Sequence, residues 1–166
     1  MDIEIREVND EFEEWASVIR NSFATVAEEF RITRENAPTN PAFAEADSLE
    51  QMKVKGVSMY GAYLDWQRVG FVAIERADDD RWYMERLAVL PEYRHRGIGR
   101  ALMDFVFETV RKRGGKKVSI GIINENRVLK NWYIDYGFVE TGTRVFSHLP
   151  FEVCFLEKAV RPNDSE

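Results

Sequence analysis

The sequence predicts one α/β domain whose mixed β-sheet carries helices packed on it. Three observations lead there. Alternating or continuous apolar runs of strand length are separated by stretches whose apolar residues recur every three or four positions. The order is strand, helices, three strands, helix, strand, helix and two strands, which fits neither a doubly wound parallel sheet nor a sandwich. The chain has 166 residues, 45% of them hydrophobic, with no internal repeat, which suits a single core. The domain is expected to span residues 1–160, with "RPNDSE" as a frayed tail over 161–166.

Each element has its own signal. "IEIREV" alternates and forms the first strand. Phe12, Trp15, Val18, Ile19, Phe23 and Val26 fall at helical spacing, with Asp10 as the expected cap at the positive helix end. Pro38 and Pro41 break regular structure in the following segment. Ser48 starts a short helix that ends near Gly56. "SMYGAYLDW" and "RVGFVAIERA" are strands joined by a tight turn at Asp65 to Gln67. Asp78, Asp79 and Asp80 make a solvated hairpin turn before the strand "RWYMERLAVL". After Gly97, the residues Leu102, Phe105, Val106, Thr109 and Val110 share one helix face, and Gly114 and Gly115 end that helix. "KKVSIGII" is a strand and "NRVLKNWYIDY" a short helix closed by Gly137. "FVETGTRVF" and "EVCFLEKAV" are the last two strands.

Charge and composition exclude several functions. A net charge of −6 repels polyanions, so neither nucleic acid nor an anionic membrane is expected as a partner. Cys154 is the only cysteine, and His95 and His148 are the only histidines. No disulfide and no cysteine- or histidine-rich metal site is therefore expected. No apolar run reaches the roughly 20 residues that span a bilayer. The acidic start "MDIEIREVND" is unlike a signal peptide, and a reducing, cytoplasmic setting is the expectation.

Against that acidic background, "LAVLPEYRHRGIGRAL" gathers three arginines, a histidine and two glycines at the mouth of a helix. A helix N-terminus carries unpaired N–H groups and about half a positive charge, so it attracts anions. Gly97 and Gly99 remove side chains that would hold an oxygen-rich ligand away, and Arg94, Arg96 and Arg100 can add charge-assisted bonds. The bland alternative is a tight turn with solvated arginines. Two known phosphate motifs are absent: there is no G-x-x-x-x-G-K-S/T, and Leu102 stands where G-x-G-x-x-G wants its third glycine.

"R-H-R-G-I-G", Arg94 to Gly99, resembles the R/Q-x-x-G-x-G/A signature of the GNAT superfamily of N-acetyltransferases. "YMERLAVLPEY" is similar to that family's central strand. "NRVLKNWYIDYGF" resembles its second motif, N-x-x-A-x-x-x-Y-x-x-x-G-F, with Leu129 in place of the usual alanine. The close match covers Tyr83 to Phe138, and the element order extends it over nearly the whole chain. The resemblance implies a GNAT-like α/β fold with a central splayed sheet of about seven strands flanked by helices.

It also implies roles. Acetyl-CoA would be the co-substrate, its pyrophosphate held by the backbone N–H groups of Arg94, His95, Arg96, Gly97, Ile98, Gly99 and Arg100. Leu87, Ala88 and Val89 would pair with the pantetheine arm as a strand does, and the Val89 N–H would stabilise the thioester oxyanion. Tyr133 would lie near the coenzyme sulfur and protonate the leaving thiolate. A phenol near pKa ~10 protonating a thiolate near ~8.5 is uphill by about 2 kcal/mol. The alternative is a core aromatic beside Trp132 and Tyr136. Asn126 would bond the pantetheine or cap the helix, and the two roles can hold together.

An ammonium near pKa ~10.4 costs about 4.6 kcal/mol to deprotonate at neutral pH, so a base is needed. Several members of the family carry a glutamate on the central strand for this purpose, which makes Glu85 the candidate. Its alternative is a salt bridge with Arg86 or Arg81. Glu28 and Glu29 either face the acceptor or are surface charge. His95 at most assists anion binding, and His148 either borders the acceptor pocket or sits in a loop. Cys154 reads as core packing without activating basic neighbours. The function implied is acetyl transfer from acetyl-CoA to the primary amine of a small molecule or peptide, by direct attack and without a metal. A non-catalytic CoA-binding module and a ligand-free interaction domain are the alternatives. Homodimers through the last strands are common in the family.

Overall fold

The computed structural model describes residues 2–161. Its elements are β1 (Ile3–Glu7), α1 (Phe12–Glu29), α2 (Ala46–Lys55), β2 (Ser58–Leu64), β3 (Gln67–Arg76) and β4 (Arg81–Val89), followed by α3 (Ile98–Lys112), β5 (Lys117–Ile123), α4 (Arg127–Tyr136), β6 (Val139–Val145) and β7 (Glu152–Ala159). The seven strands form one mixed sheet in the order β1-β2-β3-β4-β5-β7-β6, the fold class expected from the sequence. β4 and β5 run parallel, with Arg81 opposite Lys117. The β1–β2, β2–β3, β5–β7 and β6–β7 pairs are antiparallel. No helix among the described residues is long and apolar enough to cross a membrane.

Two compact units make up the chain: Met1–Glu75 with Met84–Val106, and Arg76–Tyr83 with Phe107–Glu166. In the first, Trp15 and Ile19 of α1 and Leu49 of α2 pack on Met59, Phe71 and Ala73. Burying each large apolar side chain contributes about 1.5–3 kcal/mol. Two glycines set how closely the helices approach. A Cβ on Gly61 would lie 2.1 Å from the Trp15 ring, so only glycine lets that indole lie flat on β2. A Cβ on Gly70 would meet the Ala88 carbonyl at 2.9 Å and Leu102 at 3.0 Å, so the start of α3 rests there. Gly70 and Phe71 point to opposite faces of β3, so α1 and the start of α3 cover opposite faces of this part of the sheet.

In the second unit, β5 buries Val118, Ile120 and Ile122 in alternation and pairs with β7, Ile120 lying opposite Leu156 and Ile122 opposite Cys154. β6 is an edge strand, exposed along its whole length, with a register shift between Glu140 and Gly142.

Several local expectations are corrected. Asp10 does not cap α1. The position before the helix is Glu11, at φ 56 and with no side-chain cap bond. The Val8 N–H still bonds Met59 O at 2.8 Å, so the chain must turn sharply over three residues, and Glu11 takes the left-handed conformation that allows it. The Glu11 carboxylate instead pairs with Arg68 at 2.7 Å. α2 begins at Ala46, two residues before Ser48, and ends at Gly56 as expected, with φ 98 there. The β2–β3 turn is one residue shorter than expected: Asp65 and Trp66, at φ 51 and 69, carry it, and Gln67 already belongs to β3. Two successive left-handed residues are the signature of the tight hairpin turn whose twist matches the strands. On α3, Leu102, Val106 and Val110 are fully buried, as is the unanticipated Met103, while Phe105 and Thr109 are half-buried. In the expected tail Arg161 is exposed, and 162–166 lie outside the described residues.

Candidate active site

The glycine turn belongs to the first unit. After β4 a 3-10 turn over Pro91–Tyr93 brings the Arg94 N–H onto Pro91 O at 3.3 Å. His95 (φ 64) and Gly97 (φ 83) are left-handed, with Arg96 between them outside that region. Alternation of this kind turns successive N–H groups toward one side, the geometry of an anion nest. The first helical bond of α3 runs from Ala101 N–H to Gly97 O at 3.0 Å. The N–H groups of Ile98 and Gly99 precede it and have no acceptor within the helix. No acidic side chain lies in the first turn of α3 to compete for them. A Cβ on Gly97 would touch nothing within 4 Å, so the space over the turn is open and the glycine is required by its φ.

The arginines of the turn have different tasks. Arg94 is half-buried and turned toward α1. Its guanidinium donates to Ser22 O at 2.6 Å, to Thr25 Oγ1 at 3.2 Å and to Val89 O at 3.2 Å. The side chain therefore ties the turn to α1 and to the end of β4. Arg96 lies over the Tyr93 ring at 5.3 Å, and the Tyr93 hydroxyl donates to Gln67. Arg100 and His95 are exposed.

β4 leads into this turn. Leu87 and Val89 are half-buried and Ala88 buried, and Leu90 N–H bonds Val69 O at 2.9 Å. Arg86 holds φ 55 in mid-strand, a left-handed conformation that costs a non-glycine residue about 1–3 kcal/mol. Beside it, Glu85 has its carboxyl pushed above the ordinary range, first by burial and then by the negative charge of Glu75, against the pull of Arg86 and Lys55. Burial draws the Arg86 guanidinium down from its usual value. Arg81, the other suggested partner of Glu85, is engaged by Glu157 at 3.5 Å. Sequence reasoning misses Glu75 and Lys55 because neither carries a motif: β3 neighbours β4 in the sheet and so brings Glu75 toward Glu85, and Lys55 reaches Glu75 from the end of α2 at 3.2 Å.

α1 also walls a shallow cavity of about 430 Å³ lined by Glu13, Glu14, Ser17, Asn21, Arg68 and Leu90. Arg68 stacks over Trp15 at 5.3 Å, and its Nε is buried without a hydrogen-bond partner. Glu28 and Glu29, at the far end of the helix, are exposed.

Asn126 and Tyr133 belong to the second unit. Asn126 Oδ1 accepts the Leu129 N–H at 3.2 Å, so this side chain caps α4. Tyr133 is buried, in edge contact with Trp132 at 5.1 Å and Phe138 at 5.3 Å. Burial pushes its phenol well above the usual 10. Gly137, at φ 123, ends the helix and lets the Phe138 N–H fold back onto Tyr133 O at 3.0 Å.

Cys154 is buried as expected but has polar neighbours after all. Lys130 and Glu140, paired at 3.5 Å, both act on its thiol. Burial outweighs the lysine and pushes the thiol up, so it is not activated. His148 is exposed, its ring 5.6 Å from Phe146.

A strand that runs into an open nest of N–H groups at a helix start is the geometry that suits an anion in an α/β protein, and comparison with known proteins narrows the class. The acetyltransferase (GNAT) family model matches residues 21–138. No curated protein matches by sequence. Among solved structures, PaiA N-acetyltransferase from Thermoplasma acidophilum in complex with coenzyme A aligns with a TM-score of 0.75 at 21% identity, covering 96% of this chain and 99% of that one. A GNAT acetyltransferase from Streptococcus pneumoniae aligns at 0.72 and 16% identity, over 96% and 100% of the two chains. One from Elizabethkingia anophelis with acetyl-CoA bound aligns at 0.68 and 15% identity, over 95% and 97%. These likenesses are of fold. The family match covers more than half of the chain, and the protein belongs to the GNAT family of acetyltransferases.

Proposed function

We propose that this protein transfers the acetyl group of acetyl-CoA to a primary amine by direct attack, in a cytoplasmic setting. Acetyl-CoA is the co-substrate. The observation that carries the reading is the open nest over Gly97 at the start of α3, with no competing acid in the helix's first turn. The pyrophosphate sits on the N–H groups that follow Arg94, from His95 to Arg100. Arg94 itself serves as the clamp that holds the turn to α1.

Leu87, Ala88 and Val89 carry the pantetheine arm, and the Val89 N–H meets the oxygen that becomes negative as the amine attacks. Glu85 takes the ammonium proton. Its raised carboxyl lies nearer in pKa to an amine than an ordinary carboxylate does, which narrows the uphill proton transfer from the ammonium, about 8 kcal/mol when the acceptor is an ordinary glutamate. The amine nitrogen bonds the carbonyl carbon, the carbon–sulfur bond breaks, Tyr133 gives its proton to the departing thiolate, and the second proton that the nitrogen sheds in becoming an amide restores the phenol. Asn126 keeps the start of α4 in place for that role. The acceptor is the amine of a small molecule or peptide, and two copies assemble through β6, a pairing that light scattering of the native chain would reveal as twice the chain mass.

Free-thiol detection tests the chemistry. With acetyl-CoA and a panel containing a diamine, an amino sugar and a peptide with a free N-terminus, thiol release should appear with at least one amine. Coenzyme binding with no thiol released across the panel would instead identify a non-catalytic CoA-binding module.

A further inference from the structure

α4 carries Tyr133 but is only ten residues long, and a helix of that length is marginal in water by itself, so tertiary contacts hold it. The Tyr133 ring has edge contacts with Trp132 and Phe138, while its hydroxyl has no hydrogen bond among the described residues. Where that oxygen points is therefore decided by how α4 sits on the sheet. A line of polar side chains reaches the helix from the strands. Lys130 Nζ donates to Asn124 Oδ1 at 2.7 Å, and Asn124 Nδ2 donates to Glu152 Oε1 at 2.8 Å. Lys130 also pairs with Glu140 at 3.5 Å, and its side chain is only 18% exposed. The line joins α4 to the residue after β5, the first residue of β7 and the second of β6. Asn124 is held twice, because its backbone N–H donates to Glu152 O at 2.9 Å.

Both side-chain bonds of Asn124 are charge-assisted, and together they fix its amide: the oxygen faces the ammonium and the NH2 faces the carboxylate. A lysine buried to this degree would be costly without partners, so α4 cannot turn or slide without breaking the polar line. Residues three apart on a helix are neighbours on one face, which puts Lys130 and Tyr133 on the same side of α4. We propose that Lys130 and Asn124 are positioning residues of the transfer reaction: anchored by Glu152 and Glu140, they set the rotation of α4 and thereby aim the Tyr133 hydroxyl at the departing sulfur. This rests on the reading of Tyr133 as the proton donor. The task is distinct from that of Asn126. That cap holds the start of α4 through the Leu129 N–H, whereas the Lys130 line holds the turn that precedes Tyr133. A proton given as the carbon–sulfur bond breaks needs its donor within hydrogen-bond reach of the sulfur, and a misplacement of about 1 Å can cost about 100-fold. Polar bonds suit this aim better than apolar packing, which has no preferred direction.

Kinetics of variants of the full chain, with whichever panel amine releases thiol, test the role. Lys130→Met keeps most of the side chain and removes the ammonium. It should lower kcat by about tenfold or more while calorimetric affinity for acetyl-CoA stays nearly native, and it should diminish the solvent deuterium isotope effect on kcat. On the Tyr133→Phe background the same change should lower kcat no further, because a residue that acts through the phenol has nothing left to place. Lys130→Arg, which can still donate to Asn124 and Glu140, should recover most of the turnover. Asn124→Leu and Glu152→Leu lie outside α4. They should match Lys130→Met, and they carry the same test if the lysine variant fails to fold, with melting temperature as the check. Independent, multiplying losses in Lys130→Met and Tyr133→Phe overturn the positioning role and leave Tyr133 as the donor. Native kcat in Lys130→Met, Asn124→Leu and Glu152→Leu overturns it as well. Native turnover in Tyr133→Phe removes the donor, and thiol release with no amine removes the reaction; the role of Lys130 goes with either.

Discussion

Gly97→Asp should abolish acetyl-CoA binding by calorimetry while leaving the melting temperature at or near its native value. The two halves of that expectation have separate causes. The folded chain tolerates the change because a Cβ on Gly97 meets nothing within 4 Å. The left-handed φ of 83 costs aspartate less than most residues, since its short polar side chain visits that region. A carboxylate just ahead of α3 also faces the positive end of the helix, which offsets part of the strain. The ligand meets the opposite situation. A unit charge about 4 Å from a phosphate oxygen at an effective dielectric near 20 is worth about 4 kcal/mol of repulsion, and the pyrophosphate brings more than one charge. A loss of about 1000-fold or more in affinity follows. Gly97→Ala, with at least as much strain and no charge, should lose far less. Native affinity in Gly97→Asp would mean that the phosphates sit elsewhere, and the enzymatic reading would fall with the nest.

The reading of the sequence succeeded where local pattern decides the outcome and failed where a distant partner does. The α3 stripe of Leu102, Val106 and Val110 was legible because helical spacing alone puts those residues on one face. Gly56 and Gly137 were legible as helix ends because each must adopt a positive φ. Asp10 was misread because the usual capping rule assumes a free approach to the helix. Here β1 keeps pairing through Val8, and the turn is taken up by Glu11, whose carboxylate answers to Arg68, 57 residues away. The β2–β3 turn was placed one residue too long because its tip is Asp65-Trp66, without the glycine that marks most such turns.

The site divides along the same line. Backbone features such as the turn and the start of α3 could be located from glycine placement. Side-chain assignments could not: the position of Arg94 in the motif suggests phosphate, while its guanidinium reaches Ser22 and Thr25, about seventy residues earlier. Lys55 and Glu75 were invisible because no spacing rule links α2, β3 and β4. Asn126 had two readings in sequence, and the structure supplies one of them directly through its bond to the Leu129 N–H.

Tyr133→Phe should lower kcat by about 100-fold or more, the scale of one positioned proton donor, while the affinity for acetyl-CoA stays nearly native. The substitution is clean because the ring remains. The edge contacts with Trp132 and Phe138 come from ring carbons, so removing the oxygen leaves the packing of α4 in place. Burial holds the phenol protonated through the whole working range, so Tyr133 should contribute no limb to the pH–rate profile below about pH 10. That same shift widens the gap to a thiolate near ~8.5, so free proton transfer to sulfur would be slower than from an exposed tyrosine. The phenol is useful only if the proton moves as the carbon–sulfur bond breaks, when the sulfur is developing charge. A kinetic signature follows: a solvent deuterium isotope effect on kcat should be present in the native enzyme and diminished in Tyr133→Phe. Equal losses of turnover and affinity would make Tyr133 a coenzyme contact. Native turnover would leave it a core aromatic and hand the thiolate to water.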